Sequence, residues 1–242
     1  MNLFTDPSVK AIFCARGGYG CQYLLELLDP ETVKAHPKIF LGYSDITVLL
    51  QFLENQCGLV CFHGPMVAKE FAQGEPSYVR ESLLHCMTGN LPDQRLYSPD
   101  SLTLQSGTAH GRLTGGCLSL LVASLGTPYE LQSQDKILFL EDINAKPYQV
   151  DRMLMQLKLA GKLQGVRAFI FGEMFNCSSD QQEQAIPEII LRLLKEFQVP
   201  IWYGLASGHT STGCLTLPFG VEVRLDAGQR WLQFEEAAVV IG

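Results

Sequence analysis

The chain has 242 residues, of which 47% are hydrophobic and 18% are charged, as is ordinary for a folded globular protein. Its formal net charge of −7 provides no positive field for nucleic acid or an anionic membrane, so we expect neither as a partner. No apolar run approaches the ~20 residues of a membrane span, and the first residues lack a secretory signal pattern. We therefore expect a cytoplasmic protein.

The cysteines and histidines do not have the spacing of a metal site. The chain contains eight cysteines without a Cys-x-x-Cys pair, and five histidines without a His-Glu-x-x-His motif. Free, mostly buried thiols are the expected state of the cysteines. We predict no metal and no cofactor.

The first 60 residues alternate between apolar strands and helical segments, which is typical of a parallel sheet. An apolar strand at 10–14 leads into Arg16-Gly17-Gly18-Tyr19-Gly20, and a leucine-rich helical segment follows. Glycines at a strand end permit positive φ angles and a close approach of the backbone to a ligand. The motif is neither G-x-G-x-x-G nor a P-loop, so a tight structural turn is an equally good interpretation. Asp29-Pro30 is expected to end or interrupt the helix.

A second glycine turn comes at Gly42-Tyr43-Ser44-Asp45, after an apolar run at 38–41 and before apolar residues at helical spacing. Ser44 therefore lies at a sharp corner between a strand and a helix. A serine at such a corner can act as a nucleophile, with the backbone N–H of Asp45 donating to a developing oxyanion. The alternative is that Ser44 or Asp45 caps the helix, a frequent role of both residue types.

The middle of the chain suggests a domain boundary. A strand is expected at 58–62 before His63-Gly64-Pro65, and a helix at 77–87. His63 is a possible base for Ser44, although a turn histidine is the simpler interpretation because a base also needs a group to orient it. Residues 88–107 are rich in Gly, Asn, Pro, Asp, Gln and Ser, which is typical of a linker. This predicts an N-terminal domain over 1–87 and a C-terminal domain over 108–242.

The second half mixes α/β units with short terminal strands. A helix is expected to begin behind Gly115-Gly116. Further strands are predicted at 136–140, 166–171, 200–203, 215–217, 221–225 and 231–234, with helices at 147–160 and 185–197. The predicted fold class is α/β, with a parallel-sheet N-terminal nucleophile domain and a mixed C-terminal domain that ends in β meanders.

Three polar residues, Ser44, Glu141 and His209, lie at predicted strand ends or in glycine loops. In open α/β sheets such positions converge on one rim, where ligands bind. Their order matches one known order of a nucleophile, an orienting acid and a base. Glu173 also follows an apolar strand and is the competing carboxylate. Each residue also has a simpler role, as a helix cap or a loop contact, and the G-x-S-x-G elbow of ordinary α/β-hydrolases is absent.

Taken together, motifs along nearly the whole chain resemble the LD-carboxypeptidase family of serine peptidases, which includes muramoyltetrapeptide carboxypeptidases and microcin-C immunity peptidases. The matching stretches are Ala15-Arg16-Gly17-Gly18-Tyr19-Gly20, Gly42-Tyr43-Ser44-Asp45-Ile46-Thr47, His63-Gly64-Pro65, Gly115-Gly116 with Leu118-Ser119-Leu120, Gly126-Thr127, Leu140-Glu141-Asp142, Tyr148 with Val150-Asp151-Arg152, Gly208-His209 and Leu217-Pro218-Phe219-Gly220.

The resemblance implies a role for each candidate site residue. Ser44 would be the nucleophile, His209 the general base and later acid, and Glu141 the carboxylate that orients His209. The backbone N–H groups of Gly17, Gly18 and Asp45 would form the oxyanion hole. The implied protein is a homodimeric serine carboxypeptidase that releases a C-terminal D-amino acid from murein peptides. An immunity-type peptidase or amidase acting on peptide–nucleotide conjugates, and an inactive binding protein for murein fragments, are the alternatives.

The chain departs from the family pattern at two places. Family members normally carry βα units before the first glycine strand, whereas only nine residues precede that strand here. We therefore expect a shortened N-terminal domain with an exposed sheet edge and uncovered apolar surface near Ile12 and Phe13. Cys117 stands where the family often has Asn.

Overall fold

The computed structural model describes residues 1–89, 94–98, 100–178 and 185–240, and its strands form two sheets. With strands numbered in chain order, the first sheet consists of β1 (Ala11–Phe13), β2 (Ile39–Gly42), β3 (Cys61–His63) and β10 (Leu217–Phe219). The strands β1, β2 and β3 are parallel, and β10 is antiparallel to β3. The first sheet therefore combines N-terminal strands with one strand from the far end of the sequence.

Four α-helices accompany this first part of the chain. They are α1 (Asn2–Thr5), α2 (Pro30–Ala35), α3 (Thr47–Asn55) and α4 (Arg80–Met87), with 3₁₀ turns at Cys21–Leu27 and Ser44–Ile46 and a π turn at Val67–Phe71. The predicted break at Asp29-Pro30 is confirmed, and it also begins α2. The side chain of Asp29 accepts hydrogen bonds from the backbone N–H groups of Glu31 and Thr32, which makes it the N-cap.

The second sheet has eight strands and is the larger of the two. Its strands are β4 (Arg95–Tyr97), β5 (Leu102–Gln105), β6 (Thr108–Cys117), β7 (Ile137–Glu141), β8 (Ala168–Phe171), β9 (Ile201–Tyr203), β11 (Glu222–Asp226) and β12 (Trp231–Phe234). They lie in the order β4-β12-β11-β6-β7-β8-β9-β5. The central strands β6 to β9 are parallel, and the outer pairings are antiparallel. This mixed α/β architecture confirms the predicted fold class.

The central strands are buried on both faces, as expected for parallel strands covered by structure on each side. Alternate residues of β7 face different cores: Leu138 and Leu140 pack with three helices, whereas Phe139 joins the core that includes the first sheet. The three helices are α5 (Leu118–Ala123), α6 (Pro147–Leu159) and α7 (Ala185–Leu194). Among the described residues, no helix combines the length and the apolar character needed to cross a bilayer.

Two segments are more regular than the sequence suggests. The strand β6 continues through Gly115 and Gly116 to Cys117, whereas the sequence predicts only a helix that begins behind these two glycines. Within 88–107, the predicted linker, β4 pairs with β12 and β5 pairs with β9. Residues 90–93 and 99 of that segment lie outside the described residues. The domain boundaries stay a prediction.

The strand β1 forms an outer edge of the first sheet. Next to this edge, a cavity of about 440 Å³ is lined by apolar side chains of α1, β1 and α3, including Leu3, Ile12 and Leu49. Phe13 is 39% exposed, whereas Ile12 is half-buried. Some apolar surface is therefore accessible at the position where the sequence predicts it.

Polar contacts between α3 and β6 fix the two sheets relative to each other. The backbone N–H of Cys117 donates to Thr47 Oγ1 at 3.0 Å, and Gln51 Nε2 donates to the carbonyl of Gly115 at 3.0 Å. In the β6–β7 register, Cys117 pairs with Glu141. Because Thr47 follows Ser44 by three residues, this contact places the serine corner close to the end of β7.

Candidate active site

Ser44 lies at a strained corner between β2 and α3. Its φ angle is 65°, a left-handed conformation that a non-glycine residue adopts at a cost of about 1–3 kcal/mol. The 3₁₀ turn at Ser44–Ile46 and α3 both begin without a side-chain cap hydrogen bond. Within the described chain, neither Ser44 nor Asp45 therefore caps α3. Strain without a capping contact fits a side chain that is presented to a ligand.

The glycine loop after β1 packs directly against this corner. A Cβ atom at Gly17 would lie 2.8 Å from Ser44 Cβ, 2.9 Å from Ser44 Oγ and 3.5 Å from the backbone nitrogen of Asp45, so only glycine fits there. The carboxylate of Asp45 accepts a hydrogen bond from the backbone N–H of Cys21 at 2.9 Å, which holds the loop in place. Gly17, Gly18 and Asp45 thus come from two segments that meet at Ser44. Their role as oxyanion donors stays a prediction.

Glu141 and His209, 68 residues apart in sequence, are in direct contact. Glu141 Oε2 lies 2.7 Å from His209 Nδ1 and 3.1 Å from the backbone nitrogen of His209. Glu141 is completely buried and His209 is 7% exposed. Because the carboxylate accepts a hydrogen bond from the protonated Nδ1, the opposite ring nitrogen, Nε2, is left free to act as a base.

Gly208, immediately before His209, permits this contact. It has a φ angle of +81°, and a Cβ atom there would lie 2.8 Å from Glu141 Cδ and 2.8 Å from His63 Cε1. A side chain at this position would therefore displace the carboxylate or the histidine next to it. The Gly208-His209 pair is explained by this lack of space as well as by its backbone conformation.

Tyr43 links the serine corner to His209. Its ring is completely buried and lies edge-on to the His209 imidazole, with centroids 5.0 Å apart. Its hydroxyl donates to Glu70 Oε1 at 2.6 Å and accepts from Lys69 Nζ at 2.5 Å. Sequence reasoning missed Tyr43 and Glu70 as site residues, because a tyrosine–carboxylate contact between segments 27 residues apart leaves no local pattern.

Glu173 does not contact the His209 imidazole. Its carboxylate accepts from the backbone N–H of Ser211 at 2.8 Å, from Ser211 Oγ at 2.7 Å, and from the hydroxyl of Thr210. It therefore braces the loop that follows His209. This difference separates the two carboxylates that the sequence left in competition.

The structure brings Glu141 and His209 into hydrogen-bond contact, and Gly17 into contact with Ser44 and the backbone of Asp45. Among the described residues, Ser44 Oγ and the His209 imidazole share no hydrogen bond, and Tyr43 lies between their two segments. Catalytic hydrogen bonds are often long before substrate binds. No group of three or more His, Cys, Asp or Glu in the described ranges is arranged to hold a metal ion.

The charge state of Glu141 follows from its two neighbours. Burial by itself would raise the pKa of this carboxyl, but the His209 imidazole that donates to it and the His63 imidazole 3.9 Å from it outweigh burial. Together they lower the pKa from 4.5 to about 2. Glu141 is therefore an anion at neutral pH, which favours a positive charge on His209 when it accepts a proton.

Comparison with known proteins assigns the chain to a family. Residues 1–64 match the LD-carboxypeptidase N-terminal domain, and residues 110–225 match the LD-carboxypeptidase C-terminal domain. A probable murein peptide carboxypeptidase of Bacillus subtilis (strain 168) is 34% identical over 233 residues, which are 94% of this chain and 72% of that protein. The chain belongs to the LD-carboxypeptidase family. The resemblance predicted from the sequence motifs is thereby confirmed.

Solved structures of LD-carboxypeptidase relatives share the fold. The muramoyltetrapeptide carboxypeptidase from Oxalobacter formigenes superposes with a TM-score of 0.85 at 31% identity, covering 98% of this chain and 82% of that one. The microcin C7 self-immunity protein MccF, solved in complex with glutamyl sulfamoyl guanosine, also superposes with a TM-score of 0.85. It is 27% identical, and the match covers 99% of this chain and 79% of that one. Family membership supports peptidase activity.

We expect Gly17→Ala in this member of the LD-carboxypeptidase family to reduce kcat by at least about tenfold. The added methyl group would overlap the Ser44 side chain and shift the corner, and small displacements of reacting groups cost about a hundredfold in rate. Steady-state kinetics with matched circular dichroism would measure the effect. Ala15→Gly, in the same loop, is the control for general loop flexibility. Unchanged kcat in Gly17→Ala would show that this loop does not shape the nucleophile corner.

The lowered pKa of Glu141 also predicts a dependence of stability on pH. A carboxyl with a pKa of 4.5 when unfolded and about 2 when folded stabilises the fold above pH 4.5, and this contribution disappears as the pH falls towards 2. The loss is on the order of 3 kcal/mol, since one pKa unit corresponds to ~1.4 kcal/mol. Urea unfolding at several pH values should show a smaller acid loss in Glu141→Gln than in the wild type. The exposed Glu26→Gln is the control, and equal acid losses in wild type and Glu141→Gln would contradict the prediction.

Proposed function

We propose that the chain is a serine carboxypeptidase that hydrolyses an L-to-D peptide bond and releases a C-terminal D-amino acid from murein peptides. The observation that carries the proposal is the 2.7 Å contact between buried Glu141 and His209. Tyr43, the residue before Ser44, packs against the same imidazole. Family membership and the names of the relatives support the reaction class and the murein substrate.

The proposed mechanism begins with proton transfer from Ser44 Oγ to His209 Nε2. The serine oxygen attacks the carbonyl carbon of the scissile bond, and the negative charge of the tetrahedral oxygen is stabilised by backbone N–H groups of Gly17, Gly18 and Asp45. Collapse of this intermediate breaks the C–N bond, and His209 gives its proton to the departing amino group. Water then attacks the acyl-enzyme with His209 as base, and Ser44 is released.

A polar cavity beside His209 fits recognition of a C-terminal carboxylate. It has a volume of about 440 Å³ and is bordered by Lys69 and Gln73 on one side and by the loop 210–213 on the other. The Lys69 ammonium group is partly exposed and is held by Tyr43 and Glu70. A cation at this position can pair with the carboxylate that distinguishes a carboxypeptidase substrate from an internal peptide bond.

The direct test is hydrolysis of defined peptides followed by mass spectrometry. Tetrapeptides ending in L-Lys-D-Ala and in diaminopimelate-D-Ala should lose D-Ala, whereas the matched L-Ala peptides and the C-terminal amides should remain intact. Ser44→Ala is the enzyme control. If a folded protein cleaves neither D-Ala peptide, the carboxypeptidase proposal is refuted. Equal cleavage of a D-Ala peptide with a free C-terminal carboxylate and of its C-terminal amide would refute recognition of the carboxylate.

A second candidate is an immunity-type amidase that acts on peptide–nucleotide conjugates. Tyr19 and Tyr23 are 86% and 71% exposed, pack edge-to-face, and line a cavity of about 590 Å³ next to the glycine loop. Exposed tyrosine rings can stack on a nucleobase, and one structural relative is MccF in complex with a sulfamoyl nucleoside conjugate. Cleavage of aminoacyl sulfamoyl adenosine, with the D-Ala peptides left intact, would favour this candidate.

The remaining alternative is an inactive binding protein for murein fragments. Binding of a D-Ala tetrapeptide by calorimetry, without turnover at any pH, would favour it over both enzymes. The proposed function also includes a role in the recycling of murein peptides, a cytoplasmic location and a homodimeric state, as expected from the sequence. Light scattering of the purified protein measures the oligomeric state.

A further inference from the structure

A second buried histidine lies near the Glu141 carboxylate oxygen that His209 does not contact. His63, at the end of β3, is completely buried, and its Nε2 atom lies 3.9 Å from Glu141 Oε1. The other carboxylate oxygen, Oε2, accepts both hydrogen bonds from His209. The proposed mechanism does not use His63, so its place beside the carboxylate needs a separate explanation.

The hydrogen bonds around His63 assign a proton to its Nδ1 atom. Ser207 Oγ lies 3.0 Å from this nitrogen and 2.9 Å from the carbonyl oxygen of Leu215. A hydroxyl has one proton, and the carbonyl oxygen can only accept. The Ser207 proton therefore goes to Leu215, and His63 Nδ1 must donate its own proton to Ser207 Oγ.

The opposite nitrogen then decides whether His63 is charged. His63 Nε2 and Glu141 Oε1 are buried, face each other, and have no hydrogen-bond partner among the described residues. Without a proton between them, the lone pairs of two electron-rich atoms would face each other in a dry interior, an arrangement that is costly for a carboxylate. A proton on Nε2 turns this repulsion into an ion pair at 3.9 Å.

We propose that His63 is an imidazolium that positions Glu141, so that the carboxylate lies between two imidazoles with Oε1 towards His63 and Oε2 towards His209. In this arrangement His63 balances the buried negative charge before substrate binds. His63 is a positioning residue, because it acts on the reaction through Glu141 and His209. Its effect on catalysis rests on the proposed function, whereas its charge does not.

The other titratable groups that interact with His63 or Glu141 do not supply the missing positive charge. The Tyr43 ring lies 5.7 Å away, and burial raises the pKa of its hydroxyl, which points to Glu70 and Lys69. Burial also raises the pKa of the Cys214 thiol to about 12, so this group is neutral. The remaining ring contacts are Phe139 at 5.2 Å and Phe219 at 5.5 Å.

Nuclear magnetic resonance of the wild-type protein tests the charge without any substrate. In protein labelled with ¹⁵N-histidine, both ring nitrogens of His63 should carry a proton near neutral pH. The signals are assigned by their loss in His63→Gln. A His63 with one unprotonated nitrogen at neutral pH would overturn the proposal, even if the enzyme proved fully active. Conversely, if the protein cleaves none of the peptides, the proposed function is contradicted, but the nitrogen spectrum still decides whether His63 is charged.

Kinetics test the positioning role. His63→Gln keeps a neutral donor near Glu141 but removes the positive charge, so protonation of His209 becomes easier. The acid limb, which is the fall of kcat/KM at low pH, should then move to higher pH by about one unit. A nearby charge produces a shift of this size at an effective dielectric constant of about 20. His63→Leu, which has no donor, should lower kcat by about a hundredfold with KM nearly unchanged.

The matched control is His36→Gln, a substitution of an exposed histidine, which should leave the pH profile of kcat/KM unchanged. An unmoved acid limb in a folded His63→Gln enzyme, with equal losses of kcat in the Gln and Leu variants, would assign His63 a packing role and overturn the proposal. If neither variant folds, the His63 signals are assigned by elimination, with single glutamine substitutions at His36, His85, His110 and His209. The nitrogen spectrum of the wild type then still decides whether His63 is charged.

Discussion

Ser44→Ala is expected to lower kcat by at least about a thousandfold while leaving the fold intact. The corner holds Ser44 at φ 65° directly against Gly17. Members of a nucleophile–base–acid unit act together, so loss of the serine removes the contribution of His209 and Glu141 as well. Steady-state kinetics on the best D-Ala peptide, with circular dichroism and melting temperature, measure the effect.

The matched control for this variant is Ser106→Ala, at an exposed position in the second part of the chain. It should retain wild-type kcat. A folded Ser44→Ala protein with near-wild-type turnover would eliminate Ser44 as the nucleophile, and the proposed mechanism with it.

Glu141→Gln is expected to lower kcat by about a thousandfold to ten-thousandfold, whereas Glu173→Gln should stay within about tenfold of the wild type. The first substitution neutralises the carboxylate that holds His209 Nδ1 at 2.7 Å, and losses of this size follow when the carboxylate of such a unit is made neutral. The second removes the negative charge and one of the two oxygens that accept from Ser211 and its neighbours in the loop after His209.

The pair of variants is informative because the two carboxylates each follow an apolar strand of the same sheet. The kcat of both should be measured on one peptide across the full pH range, so that a shifted optimum is not mistaken for a loss. Loss of hydrolysis in folded Glu173→Gln with retention in Glu141→Gln would reverse the assignment.

The sequence predicts the local elements of the site well, because their signals lie within a few residues of each other. The strand, turn and helix around Ser44 appear as β2, a 3₁₀ turn and α3, since apolar residues at strand and helix spacing flank a Gly-Tyr-Ser-Asp turn. The strands before Glu141 and Glu173 are present as β7 and β8 for the same reason. The choice between these carboxylates, however, needed the family motifs, because both have the same local context.

The features that sequence reasoning missed depend on contacts between distant segments. The strand β6 includes His110, Arg112 and three glycines, so it lacks an apolar pattern. Its pairing with β7 and β11 organises it instead. The return of β10 to the first sheet has no local signal either. For His63, the sequence favours a turn histidine, and only its burial beside Glu141 reveals a further role.

The central claim, that Ser44 becomes acylated during peptide hydrolysis, is tested most directly by trapping the intermediate. An activated ester of the murein tripeptide acyl group makes acylation fast relative to deacylation, so that rapid acid quenching can capture the covalent enzyme for peptide mapping by mass spectrometry. We predict the mass of the acyl group on the fragment that contains Ser44, and no adduct in Ser44→Ala. Turnover of the ester with the adduct on another residue, or with an identical adduct in Ser44→Ala, would contradict the account.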